Sequence, residues 1–368
     1  MIRVTDSYGR PMANLRISVT NECNYRCIFC HIEGDPIGKP LRPGQLPPVM
    51  IPREYGIVAK AAWLLGIRSY KITGGEPLIR RDIVDIVGEI NENSPGSDIS
   101  MTTNGFLMNV YAEKLASAGL RRANISIHSL RRARYKFITG VDGLDKAMKG
   151  LSAAHDAGLK LKVNMVVLKG INEDEVLDIA EYAAKHEAML QLIELHPVGM
   201  GAKFFKQYFY PVVEIEKKFL EMGAKAERRG LHNRPVYTLP NGIKVEVVRP
   251  HGNPIFCAGC TRIRLSATGH LTPCLNWKGE RIHLLPRLRA AESLEDAIIE
   301  AARAILEVNT LRRPYFLPRR SRFYDPLGWP VNGKPEGRID VPKRSFYQRV
   351  LQELESQIRG IRTQVATG

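Results

Sequence analysis

A chain of 368 residues with 44% hydrophobic content can bury a full core, which excludes a disordered polymer and a disulfide-stapled miniprotein. It has no run of eighteen apolar residues and no apolar signal core after Met1, so a soluble, intracellular, cytoplasmic protein with no membrane segment is expected. The net charge of +16 predicts an anionic partner, whether nucleotide, nucleic acid or membrane surface, and by itself chooses none of them.

Arg16 to Cys30 reads as a β-strand running into a loop that carries Cys23, Cys27 and Cys30. Thiolates spaced C-x3-C-x2-C can wrap one face of a small iron–sulfur cluster, and three ligands on a four-iron cluster leave one iron open. Structural zinc would need a fourth ligand, which His31 supplies only awkwardly from the position next to Cys30. Gly34 to Pro52 reads as a long Gly/Pro-rich loop. From there helices and apolar strands alternate. Helices are expected over 52–65, 81–91, 110–118, 144–157 and 174–186, and strands over 69–73, 99–102, 123–127, 161–168 and 189–195. With the first strand these make six parallel βαβ-type strands, either a barrel or a doubly wound open sheet.

Each strand is followed by a polar or glycine-rich cluster: Gly74-Gly-Glu-Pro77, Thr102-Thr-Asn-Gly105, Ser126-Ile-His-Ser129, Lys169-Gly-Ile-Asn172 and His196-Pro-Val-Gly199. In parallel architectures the carboxyl ends of strands form the active face, so these loops and the cysteine loop converge on one mouth. Beyond residue 210 a helix over 211–220 leads to a smaller, mostly β region. Its strands are expected at 236–239, 244–248, 262–266 and 270–273, with Asn241-Gly242 and Thr268-Gly269 as hairpin turns. Cys257, Cys260 and Cys274 form a second set there, spaced C-x2-C-x13-C, for which zinc with His251 or His270 and an iron–sulfur cluster are both open. Three units are expected: 1–210, 211–311 and a basic extension over 312–368 with a helical run from about 344 to 358.

The first cysteine set, with Phe29 before its last member, resembles the signature of the radical S-adenosylmethionine family. Within that family the chain is similar to the branch that acts on GTP in molybdenum-cofactor biosynthesis. The likeness lies in Leu15 to Thr20, Ile72 to Asp82, Thr102 to Gly105, Lys162 to Asn172 and Cys257 to Cys274, in that order, over residues 12 to 316. The resemblance implies a partial six-stranded (βα) barrel of TIM type, with the β region and helical tail appended. It also implies two [4Fe–4S] clusters, one on each cysteine set. S-adenosylmethionine would lie against Phe29, Gly74, Gly75, Glu76, Thr102, Asn104 and Ser126. GTP would lie between the clusters, its phosphates met by Arg16, Lys71, Lys162, Arg262 and Arg264.

The implied reaction abstracts the ribose 3′ hydrogen and joins C3′ to C8 of the same guanine. An electron donor and a following cyclic pyranopterin monophosphate synthase are the implied partners. A homodimer is possible and no nucleic acid is expected. Two other readings stand beside it: a radical enzyme acting on a peptide or other small molecule, and a non-catalytic protein binding metal and nucleic acid. Three features depart from the pattern: Gln191 stands where it has arginine, His128 where it has aspartate, and Val365-Ala-Thr-Gly368 where it has a Gly-Gly end.

Overall fold

A computed structural model describes residues 4–32, 49–317 and 344–365, the last with side chains over 346–359. The loop expected over 34–52 therefore lies outside the described residues except for 49–52, as does the basic segment over 312–344 except for its ends, and the final 366–368.

The six expected strands form: β1 (Asn14–Ser18), β2 (Ser69–Thr73), β3 (Asp98–Thr103), β4 (Arg122–Ser126), β5 (Lys160–Val167) and β6 (Met189–Glu194). They pair in parallel, in chain order. Between them run α1 (Pro52–Leu64), α2 (Ile83–Asn93), α3 (Met108–Ser117), α4 (Arg132–Thr139), α5 (Leu144–Asp156) and α6 (Val176–Ala184). Helix α4 was not anticipated from sequence. Its segment is polar and basic, and Tyr135, Ile138 and Thr139 are what it buries.

Beyond β6 come α7 (Met200–Tyr208), α8 (Val213–Glu221), β7 (Lys225–Arg228), β8 (Pro235–Thr238), β9 (Lys244–Val248), α9 (Pro254–Ala258), β10 (Arg262–Leu265), β11 (His270–Thr272) and β12 (Ile282–His283). These strands extend the sheet at both edges. β9 pairs in parallel with β6, and β10 pairs in parallel with β1, so the parallel run is eight strands long. The hairpin partners β7–β8 and β11–β12 continue it antiparallel on either side, giving twelve strands in one sheet. Among the described residues no pairing joins β9 to β10, the two ends of the parallel run.

The alternation of side chains along these strands decides what lies on each face. Leu15, Ile17, Tyr70, Ile72, Ile99, Met101, Ala123 and Ile125 are fully buried in the apolar core. Their neighbours Arg16, Lys71, Ser100, Arg122 and Asn124 line a cavity on the other face. The pairing register sets Arg264, Arg16, Lys71, Ser100 and Arg122 side by side in one row across five strands.

The outer layer ends in α10 (Leu285–Ala290), α11 (Leu294–Thr310) and α12 (Arg344–Val365). Helix α11 is capped by Ser293, whose Oγ accepts from the Asp296 N–H at 3.0 Å, and buries an Ala/Ile stripe. Sequence reading did not anticipate it, although Ser293 as a cap and the acidic Glu295 and Asp296 in the first turn mark its start. Helix α12 forms where a helical run was expected and packs on α11 through the buried Val350, Leu354 and Ile358.

Candidate active site

The first cysteine loop follows β1 and is held by its backbone on three sides. The Gly75 N–H donates to Thr20 O at 2.7 Å and the Glu76 N–H to Glu22 O at 2.8 Å. From the other side Arg26 and Ile28 donate to the carbonyls of Thr139 and Ile138 at the end of α4, at 2.8 and 3.0 Å, and Met200 donates to Cys30 O at 2.9 Å. A Cβ on Gly75 would sit 1.9 Å from Glu22 O, and one on Gly74 2.9 Å from Thr20 O. The expected role of this glycine pair, close approach of backbone, is therefore taken up at least in part by the cysteine loop itself.

Within the loop the Tyr25 N–H points at the Cys23 sulfur and the Ile32 N–H at the Cys30 sulfur, each at 3.4 Å. All six cysteines are free thiols and all six line one cavity of about 510 Å³. Burial pushes Cys23 up to about 11, helped by the charges of Glu76 and Cys30, and raises Cys27 further. Burial likewise holds Cys257 up to about 11 and raises Cys274. A positive metal core would offset that cost by stabilising the thiolates. Among the described residues no three His, Cys, Asp or Glu side chains gather as a single metal ion would need. His251 and His270, the candidate zinc ligands, do not line the cavity: His270 stacks on His283 at 4.1 Å, and His251 packs against Phe205 and Phe316.

The second cysteine set is anchored by buried charge. Arg10 Nη1 donates to Cys257 O at 2.9 Å, and Arg312 Nη2 to Cys260 O at 2.7 Å. Both guanidiniums share the buried Asp6. The backbone of Phe316 and Tyr315 works against burial at the Cys257 thiol, so the chain after α11 lies beside this set.

Glu76 is 2% exposed and its carboxylate accepts from Leu78 N at 3.1 Å, Thr103 Oγ1 at 2.6 Å and Asn104 N at 2.7 Å. Burial outweighs these bonds and pushes Glu76 up to about 7. Asn104 in turn donates to Asn24 Oδ1 at 2.7 Å and accepts from the Phe106 N–H at 3.0 Å. Phe29, Gly74, Gly75, Thr102, Asn104 and Ser126 line the cavity with Glu76. His128, one of the three departures from the pattern, accepts from the Val166 N–H through Nδ1 at 3.1 Å and packs edge-on to Phe29, and burial lowers it to about 3.

Arg16, Lys71, Lys162, Arg262 and Arg264 all reach the cavity. Lys71 donates to Met101 O at 3.0 Å and Asn124 Oδ1 at 2.7 Å. Burial, then the charges of Arg16, Arg122 and Arg262, hold its amine well below the usual range. Lys162 is paired to Glu246, a fully buried carboxylate that also binds Arg229 at 2.7 Å and Arg234 at 2.8 Å. Sequence reasoning missed Arg229, Arg234 and Glu246. The available signal was a lone carboxylate, Glu246, between Val245 and Val247 on a strand; the register places it opposite Gln191.

Two family models match in tandem, the radical SAM superfamily over 17–183 and Molybdenum Cofactor Synthesis C over 188–312. The chain is 43% identical over 347 residues to a probable GTP 3′,8-cyclase of Aeropyrum pernix, covering 94% of this chain and 96% of that one. It is 43% identical over 321 residues to a probable GTP 3′,8-cyclase of Pyrococcus horikoshii, covering 86% and 99%. Among solved structures it is similar to Streptococcus suis SuiB bound to S-adenosylmethionine, with a TM-score of 0.57 at 15% identity over 78% of this chain and 66% of that one. It is also similar to anSMEcpe with bound AdoMet, at 0.54 and 13% over 96% and 100%. At those identities the likeness is one of fold.

Proposed function

The chain belongs to the GTP 3′,8-cyclase family of radical SAM enzymes, and on that premise we propose that it converts GTP to (8S)-3′,8-cyclo-7,8-dihydroguanosine 5′-triphosphate, the first step of molybdenum-cofactor biosynthesis. The observation that carries this reading is one cavity with a thiol triad in each of two facing loops and a row of cations across the strands between them. Cys23, Cys27 and Cys30 would hold one [4Fe–4S] cluster, and Cys257, Cys260 and Cys274 a second, each with one iron free of protein. When bound, the first cluster and S-adenosylmethionine supply the radical that removes the ribose 3′ hydrogen.

The chain's own residues do the rest. The Gly74–Glu76 loop, Phe29, Thr102, Asn104 and Ser126 form the wall beside the first triad and orient the cofactor there, Glu76 bracing that wall through Thr103 and Asn104. Arg16, Lys71, Lys162, Arg262 and Arg264 bind the triphosphate, whose charge restores the Lys71 ammonium that burial and its neighbours disfavour. Enclosure by the sheet keeps water from the reacting ribose. The units 1–210, 211–311 and 312–368 would then divide the work into radical generation, substrate capture and an appended tail. An electron donor and the enzyme that next rearranges the cyclised nucleotide are the partners this chemistry requires.

The test is anaerobic reconstitution, iron and sulfide analysis, and incubation with S-adenosylmethionine, reductant and GTP. About eight irons per chain and GTP-dependent 5′-deoxyadenosine are expected. Iron far below that, or 5′-deoxyadenosine accumulating while GTP is unchanged, defeats the reading.

A further inference from the structure

The connection between β7 and β8 carries Arg229, His232 and Arg234 to the cavity wall. Arg234 is 6% exposed and held in a fixed plane. Its Nη1 donates to Glu246 Oε1 at 2.8 Å and reaches Gln191 Oε1 at 3.5 Å. Its Nη2 lies 2.9 Å from His232 Nδ1, and that imidazole is stacked on Phe256 at 4.0 Å with the rings 12° from parallel. Two of its five N–H donors are left over: the Nε–H is buried and has no partner, and Nη2 has a second hydrogen beyond the one turned to His232. Buried guanidinium donors are rarely left unpaired, and one on a cavity wall calls for an acceptor that the cavity receives.

The local charge points to what that acceptor is. Glu246 is one carboxylate shared by Lys162, Arg229 and Arg234, so the cluster carries more positive than negative charge. The residue facing Glu246 across the β6–β9 pairing is the neutral Gln191, which brings neither a cation nor a second anion. A phosphate satisfies both the open donors and the charge.

We propose that Arg234, with Arg229 beside it, is a specificity-determining residue whose guanidinium binds a phosphate of the substrate, with Glu246 and His232 holding its plane. The inference rests on the nucleotide triphosphate reading above and adds to it the wall built by the β7–β8 connection. It makes preference for the triphosphate over the bare nucleoside depend on a residue outside the parallel strands.

The reconstituted full-length chain is titrated with GTP and with guanosine, comparing wild type, Arg234→Gln and Arg234→Lys. Arg234→Gln should weaken GTP about 10- to 100-fold while leaving guanosine unchanged. Arg234→Lys keeps the charge but not the planar fork, so it protects the fold and should still lose about tenfold for GTP. Equal weakening of GTP and guanosine, or a GTP-to-guanosine ratio in Arg234→Lys equal to wild type, overturns the proposal. Wild type that consumes GTP while both variants keep its ratio defeats this inference alone; wild type that ignores GTP defeats the functional reading instead.

Discussion

Cys274 stands alone at the end of β11, whereas Cys257 and Cys260 share one turn at the end of α9. Its loss should therefore remove the second cluster and spare the first. Cys274→Ala is expected to reduce iron from about eight to about four per chain, to keep S-adenosylmethionine cleavage, and to lose GTP consumption. Unchanged iron and GTP turnover would take the second triad out of the reaction. Glu194 shows burial acting on a carboxyl at the end of β6. Desolvation raises it to about 7, against the pull of Arg249 and of the Val212 N–H at 3.3 Å. Between its ordinary value of 4.5 and about 7 the folded chain holds a proton that the unfolded chain has released, so this residue's stabilising contribution declines as pH rises through that window. Glu194→Gln should accordingly gain stability relative to wild type from pH 5 to 7.5, read as the difference in denaturation midpoints. A difference that stays flat with pH would refute the shift.

At the scale of elements, the site is an assembly of loops gripping one another. The cysteine loop is pinned by the glycine loop after β2, by the end of α4 and by the loop after β6, all through backbone groups. Gly75→Ala would drive a methyl into Glu22 O, a backbone atom that yields only if the cysteine loop moves. The expected result is a folded protein that takes up about half the iron and forms no 5′-deoxyadenosine; full iron uptake would show that the two loops can part without cost. The second cysteine set depends instead on the segment just past α11, where Arg312 is 1% exposed and ties Cys260 O to Asp6 and Asn309. A helix on the outer face thus sets the position of a loop on the inner one.

Among the described residues, one sheet separates an apolar shell from a cavity into which cations project. Part of the net charge of +16 faces the cavity, through Arg16, Lys71, Lys162, Arg262 and Arg264, instead of lying on a solvated surface. Among the described residues no helix is long and apolar enough to cross a membrane. Helix α12 lies on the far side of the shell, joined by Tyr347 Oη to Thr5 O at 3.1 Å and by the buried row Val350, Leu354 and Ile358. Leu354→Asp should release it at a cost of about 2–4 kcal/mol, seen as a lower thermal midpoint with iron content unchanged. Loss of iron in that variant would mean that α12 supports the site as well as the shell.

The sequence by itself determined the cysteine triads, the six central strands and the polar clusters at their carboxyl ends. Those are local facts: ligand spacing, a period of two, and glycine where backbones must touch. Only the tertiary structure decided which cations meet in the cavity. Lys162 finds Glu246 at a separation of 84 residues, and Arg262 finds Asn14 at 248. It also decided that β10 adds to β1 and β9 to β6, one at each edge of the six central strands. Pairings at such separations are selected by the packing of the finished sheet against the entropy of closing long loops, and no local pattern encodes that balance.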